Sequence, residues 1–163
     1  MRLILAGIQF IAAAATVPSA VMAGEYLEPD SAWKVLENLQ TAYAKLDIDG
    51  YLACLGEDFE FVYVEMDTTG ERVETRWGMD EEEEFHRTMF DQVEWIDFTL
   101  TGDGSEPRPG TVQGSMAMER DFKLEIAAEE DHYETEGELL FVCRPDSAGR
   151  WTIVQWWDLT GGP

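Results

Sequence analysis

Four segments in the second half of the chain alternate apolar and polar residues, and this alternation constrains the fold more than any other feature. They lie at about 93–101, 115–127, 133–144 and 151–159. Successive side chains of a β-strand point to opposite sides of the sheet, so each segment predicts a strand with one apolar face. In the first segment Ile96, Phe98 and Leu100 share one face, and Trp95, Asp97 and Thr99 share the other. Turn-forming residues at 102–110 and 146–149 predict an antiparallel meander.

The first half of the chain has helical spacing instead. After Pro-Asp-Ser at 29–31, apolar residues recur every three or four positions, which predicts one buried helical face. These residues are Trp33, Leu36, Leu39, Tyr43 and Leu46. Asp47 is suited to cap a short second helix that ends at Gly56. A strand over 59–66, a short strand over 73–77 and a third helix from about Asp80 complete a single α+β domain without repeats or linkers.

The net charge is extreme, because 34 acidic residues face 11 basic ones and give a formal charge of −23. Such a surface repels phosphate backbones and anionic lipid headgroups, so the charge argues strongly against nucleic-acid binding and disfavours binding to anionic membranes. Two interpretations remain. The acids form a solvated surface suited to saline surroundings, or they attract a cationic partner.

Residues 1–23 have the pattern of an export signal. Arg2 precedes an apolar stretch over 3–17, Pro18 interrupts it, and Val21-Met22-Ala23 supplies small residues for cleavage after Ala23. An uncleaved N-terminal anchor is the alternative. The sequence thus predicts a signal peptide at 1–23, a single domain at 24–163, a periplasmic or secreted location, and no membrane association after cleavage.

Cysteine and histidine are scarce. Cys54 and Cys143 would enter an oxidising compartment after export, where a disulfide is permitted, but both have apolar neighbours and also suit small buried positions. Two cysteines and two histidines are too few for a metal site, and none is predicted. His86 is expected to face solvent or a carboxylate, and the acidic run at 80–84 is interpreted as the first turn of a helix, where the dipole favours negative charge.

The order of elements resembles the nuclear transport factor 2-like superfamily, also called SnoaL-like, over residues 32–159. The segments that carry the resemblance are AYAKLDIDGY at 42–51, GEDFEF at 56–61 and WTIVQWWD at 151–158. The resemblance implies a cystatin-like cone, in which N-terminal helices pack on a curved, mostly antiparallel sheet. It also implies a pocket inside the cone, and it implies little about chemistry because this fold hosts many functions.

The pocket that the resemblance implies has five candidate residues. They are Tyr63, Trp95, Asp97, Trp156 and Asp158. Asp97 and Tyr63 are the catalytic candidates, since proton transfer beside a carbonyl needs a base in a water-poor site. Asp97 is either such a desolvated base or a solvent-facing residue, and the tryptophans are either pocket walls or core and dimer contacts.

The function expected from sequence is an exported small-molecule-binding or accessory domain, with no catalysis demonstrable from the sequence and no cofactor. Its expected ligand is small and apolar, and its expected assembly is a homodimer formed through the open face of the sheet. Two alternatives stay open. One is a cofactor-independent lyase or isomerase that uses a pocket carboxylate, and the other is a structural dimerisation or interaction module.

Overall fold

The computed structural model describes residues 24–101, 106–129 and 131–161. The predicted signal peptide at 1–23 and its cleavage site lie outside these residues. Three helices and seven strands follow one another along the described chain. They are α1 (Ala32–Lys45), α2 (Ile48–Leu52), β1 (Leu55–Met66), β2 (Arg72–Gly78), α3 (Met79–Gln92), β3 (Trp95–Thr101), β4 (Arg108–Pro109), β5 (Met116–Ala128), β6 (Asp131–Pro145) and β7 (Trp151–Gly161).

The helices follow the predicted spacing with one exception. Leu36, Leu39 and Tyr43 are buried on α1, whereas Trp33 is 46 % exposed and does not belong to the buried face. Asp47 caps α2 as predicted, because its side chain accepts a hydrogen bond from the backbone N–H of Gly50 at 3.0 Å. Within the described residues, no helix has both the length and the apolar character that crossing a membrane requires.

The strands form one sheet in the order β2-β1-β7-β6-β5-β3, with the two-residue β4 paired to β5. The β1–β7 pair is parallel and the other pairs are antiparallel, which confirms the mostly antiparallel sheet. Gly56 does not end α2 as predicted but lies in β1. A Cβ atom at this position would lie 3.0 Å from Thr152 Oγ1 and 3.1 Å from Val154 Cγ1, so the close approach of β7 favours glycine.

The sheet curves strongly around the helices. Phe98 on β3 and Trp156 on β7 have ring centroids 5.9 Å apart, although β5 and β6 separate their strands. In a flat sheet three strand spacings would separate them by about 14 Å. The concave face therefore closes on itself as a cone, and side chains of the core pack within it, including Leu39, Tyr43, Phe98, Phe122, Phe141 and Trp156.

The convex face of the sheet is acidic along β3, the middle of β5 and the first half of β6, whereas Ala117, Leu140 and Val142 form part of a small apolar cluster on the same face. The strand register places Asp97 opposite Glu125, Glu125 opposite Glu134, and Asp121 opposite Glu138. Lys123 lies among them and pairs with Glu125 at 2.6 Å and Glu134 at 3.0 Å. Like charges directly opposite each other destabilise a sheet, and salt screens them. A homodimer through this face would bring two such acidic surfaces together.

We expect Glu138→Gln to stabilise the protein at low ionic strength, because it removes one carboxylate from the pair with Asp121. The free energy of unfolding should rise by about 0.5 kcal/mol in 10 mM NaCl, and the gain should vanish in 0.5 M NaCl. Urea denaturation at both salt concentrations measures the difference. A gain that persists unchanged in high salt would contradict the electrostatic explanation.

Cys54 and Cys143 are buried and free. Ile153 on β7 lies between them, since its backbone N–H donates to the carbonyl of Cys54 at 2.8 Å and its register partner on β6 is Cys143. The structure has no disulfide between them, and both cysteines are small core residues. Burial raises the pKa of each thiol to about 12.

We expect neither thiol to react with Ellman's reagent in the folded protein at pH 8, because both are buried and almost entirely protonated. In 6 M guanidinium chloride without reductant, both should react. A Cys54→Ser variant serves as the control and should release one equivalent less. Failure of the unfolded protein to react would show that the two sulfurs are bonded.

Candidate functional site

The five predicted pocket residues do not share one face of the sheet. Tyr63, Trp156 and Asp158 lie on the concave side, and Trp156 is buried against Phe141 with ring centroids 4.9 Å apart. Tyr63 and Asp158 are register partners on the parallel strands β1 and β7. Burial, followed by the charge of Asp158, raises the pKa of Tyr63. The structure thus brings together two of the predicted polar residues.

Asp97 and Trp95 lie on the convex side, which corrects the prediction that Asp97 could be an inward-facing base. The alternation of β3 sends Ile96 and Phe98 into the core and therefore sends Asp97 outward. Its carboxylate accepts a hydrogen bond from Thr99 Oγ1 at 2.9 Å and lies opposite Glu125. No proton transfer inside the cone can use this residue.

A groove of about 760 Å³ opens elsewhere, where β1, β2, β7 and the start of α3 meet. None of the five predicted residues lines it. A β-bulge shapes one wall, because Val154 on β7 has no register partner between Ile153 and Gln155. The groove is lined by Glu57, Asp58, Phe59, Glu60, Arg76, Trp77, Gly78, Met79, Asp80, Glu81, Val112, Val154 and Gln155.

Negative charge dominates the groove. Five of its lining residues are carboxylates and one is an arginine. Arg76 is already held by Glu60 at 2.6 Å and by Glu74 at 2.7 Å, so its charge is compensated. Gln155 donates its amide N–H to Glu60 at 3.4 Å, and its buried amide oxygen has no hydrogen-bond partner in the described part of the chain.

Among the described residues, no three His, Cys, Asp or Glu side chains form a group that could hold a metal ion.

Trp77 connects the groove to the interior. Its ring stacks on Phe61 with centroids 4.4 Å apart and planes 16° from parallel. Its indole N–H donates to Oε2 of Glu82, a carboxylate only 1 % exposed, while the hydroxyl of Tyr51 donates to Oε1. Burial raises the pKa of Glu82, and the two donated hydrogen bonds act against this increase.

His86 completes this buried network from the next turn of α3. Its Nδ1 lies 3.3 Å from Glu82 Oε1, and its Nε2 lies 2.7 Å from the hydroxyl of Tyr43. Burial lowers the pKa of His86 to about 3, so the ring is neutral at physiological pH. A neutral ring with its proton on Nδ1 donates toward Glu82 and accepts from Tyr43, which satisfies both ring nitrogens.

The sequence patterns did not predict this network. They place Glu82 in the first turn of a helix and predict that His86 faces solvent or a carboxylate, and only the carboxylate contact is correct. A signal was present, because Glu82, His86 and Phe90 are spaced by four and share the buried face of α3. The tyrosines that accompany them come from α1 and α2, and their proximity depends on tertiary packing.

We expect acidification to destabilise the fold through His86. Between pH 6.5 and about 3 the unfolded state binds a proton that the folded state excludes, so the free energy of unfolding decreases by about 1.4 kcal/mol per pH unit from this group. The raised pKa of Glu82 has the opposite effect on stability, because the folded state then binds a proton more readily than the unfolded state as the pH falls. The test therefore compares the wild type with a variant that lacks His86. His86→Gln should remove the His86 contribution to the slope of unfolding free energy between pH 6.5 and 5.

Tyr43→Phe is the matched control for this measurement. It removes the hydroxyl partner of His86 but leaves the ring buried, so stability should fall by about 1 kcal/mol while the pH slope persists. Identical slopes for wild type and His86→Gln would show that burial of His86 does not control the acid sensitivity.

The chain matches no protein-family model and no curated protein in sequence. Among solved structures, a conserved protein from Planctomyces limnophilus is similar with a TM-score of 0.62 and 15 % identity, over 77 % of this chain and 90 % of that chain. A nuclear transport factor 2-like superfamily protein from Salmonella enterica has a TM-score of 0.56 and 16 % identity, over 76 % and 84 %.

A protein with a cystatin-like fold from Nostoc punctiforme has a TM-score of 0.53 and 14 % identity, over 77 % of this chain and 84 % of that chain. Identities this low concern the fold and carry no statement about activity. The three helices and the curved, mostly antiparallel sheet agree with these neighbours. This chain therefore has the nuclear transport factor 2-like fold, the cystatin-like α+β cone that its sequence predicts.

Proposed function

We propose that this protein is an exported binding domain that holds a small, positively charged organic molecule in the acidic groove. The observation that carries the proposal is the charge of the groove of about 760 Å³, where Glu57, Asp80 and Glu81 have no basic partner among the described residues. The other two lining carboxylates, Glu60 and Asp58, are paired with Arg76 and Arg144. This volume lies within the range of small-molecule sites. The export component rests on the N-terminal sequence pattern alone.

The groove differs from the apolar site that the sequence predicted. The predicted pocket lies inside the cone, where side chains such as Phe98 and Trp156 pack against each other. The acidic groove favours a cation over an apolar ligand, because clustered carboxylates in a concave surface concentrate cations there. Trp77 adds an aromatic side chain to the lining, and aromatic rings attract organic cations.

An ammonium ligand also fits the hydrogen-bonding groups of the groove. The buried amide oxygen of Gln155 has no partner within the described residues and is suited to accept a hydrogen bond from an N–H group. Glu57 and Asp80 are exposed at the groove, so both are suited to approach a ligand cation. The structural alternative, an interaction module that dimerises through the convex face, stays a prediction and would depend on salt to screen the carboxylates.

We expect 2-phenylethylammonium to bind the wild-type protein saturably in isothermal titration calorimetry, and the neutral analogue 2-phenylethanol not to bind. The double variant Glu57→Gln/Asp80→Asn should weaken the cation's binding about tenfold or more, because it removes two groove charges. Binding should weaken further as NaCl is raised from 20 to 300 mM.

The double variant Asp121→Asn/Glu136→Gln is the matched control, since it makes the same change in net charge on the convex face. Its affinity should equal that of the wild type. Equal weakening by both double variants would mean that the cation responds only to net charge, and the groove would not be its site.

A further inference from the structure

Arg76 is the one basic residue among the described residues that line the acidic groove. Its Nη1 donates a hydrogen bond to Oε2 of Glu60 at 2.6 Å, and its Nη2 donates to Oε2 of Glu74 at 2.7 Å. Glu60 lines the groove, whereas Glu74 lies outside its lining. One guanidinium fork thus bridges two carboxylates, and it places a positive charge of the chain itself in a site suited to cations.

An aromatic ring contacts the same guanidinium. Arg76 and Trp157 are register partners of the same residue, Val62, from either side of β1, so their side chains share the convex face of the sheet. The Cζ atom of Arg76 lies 5.0 Å from the centroid of the Trp157 ring, which is within the range of a cation–π contact. Two carboxylates and an aromatic ring are therefore arranged to bind a guanidinium, and in this chain Arg76 supplies it.

The ion pairs of Arg76 are exposed to solvent. The side chain of Arg76 is 39 % exposed, and those of Glu60 and Glu74 are each 36 % exposed. Ion pairs with this exposure contribute little to stability, because water and salt compete for the same charges. Arg76 can therefore exchange Glu60 for solvent while the strands that carry both residues stay folded.

A guanidinium from outside the chain can form a hydrogen bond that Arg76 does not form. Gln155 is the register partner of Glu60, and its amide N–H donates to the same carboxylate oxygen as Arg76 does. The buried amide oxygen of Gln155 has no hydrogen-bond partner within the described residues. Because a guanidinium has several N–H donors in one plane, a free one can donate to Glu60 and to Gln155 together. Arg76 instead divides its hydrogen bonds between Glu60 and Glu74.

We propose that Arg76 is an internal competitor for the acidic groove, and that the ligand which replaces it carries a guanidinium group. This inference rests on the proposed function, and it adds the chemical class of the cation and a residue that limits its affinity. A guanidinium ligand reproduces the contacts of Arg76 with Glu60 and Trp157, whereas an ammonium group lacks the planar fork. Arg76 lowers the affinity for such a ligand because it occupies Glu60 and has the same charge.

The test compares two ligands that differ only in their cationic group, 2-phenylethylguanidinium and 2-phenylethylammonium, by calorimetry in 20 mM NaCl. Arg76→Gln should strengthen the binding of 2-phenylethylguanidinium about tenfold, because it frees Glu60 and removes the competing charge. The binding of 2-phenylethylammonium should strengthen about threefold at most, since this ligand gains only from the change in charge. Adding Glu60→Gln to Arg76→Gln should reverse the gain for the guanidinium ligand.

Arg72→Gln is the matched control. Arg72 lies on the same strand and also pairs with Glu74, at 3.5 Å, but it does not line the groove. The substitution makes the same change in net charge and should strengthen binding by about twofold at most. A direct readout is the indole N–H signal of Trp157, assigned in ¹H–¹⁵N spectra by its absence from Trp157→Phe. In Arg76→Gln this signal should shift along the binding curve of the guanidinium ligand.

Three results would overturn the inference while leaving the proposed function intact. They are wild-type affinity for the guanidinium ligand in Arg76→Gln, equal gains from Arg76→Gln and Arg72→Gln, and equal gains for the two ligands. Absence of binding by both cations in the wild type and in Arg76→Gln would overturn the proposed function as well. Binding by Arg76→Gln alone would support competition by Arg76, because the groove would then be a cation site that this residue blocks.

Discussion

The contact between Phe98 and Trp156 determines the shape of the molecule. Two strands separate these residues in the sheet, so their rings can meet only because the sheet bends through β5 and β6. The bend buries Tyr43, Phe122 and Phe141 in the same cluster and positions α1 against the concave face. Hydrophobic burial therefore stabilises both the curvature of the sheet and the packing of α1 against it.

The polar network on α3 shows how a carboxyl group can be buried in this fold. Glu82 receives hydrogen bonds from Trp77 and Tyr51 and lies 3.3 Å from His86 Nδ1, so hydrogen-bond donors surround it and act against the increase in pKa that burial causes. The network joins β2 to all three helices. Because Trp77 also lines the groove, the packing of this network holds one groove wall in place.

The sequence predicts the fold well because β-strand alternation is a local property. The apolar faces of β3 and β5 could be identified from spacing alone, and the same alternation already implied that Asp97 points away from the core. Trp33 was assigned to the buried face of α1 because helical spacing of three or four does not distinguish the centre of a face from its margin. The groove could not be predicted, since its lining comes from separate segments that only the tertiary fold brings together.

Glu82 and Arg120 are both buried ionisable residues, but the fold provides them with different numbers of hydrogen-bond partners. The carboxylate has donors from three elements, whereas the guanidinium has one backbone acceptor and the face of Trp33. The aromatic face of Trp33 compensates part of the guanidinium's charge, because the electron-rich face of an aromatic ring attracts a cation.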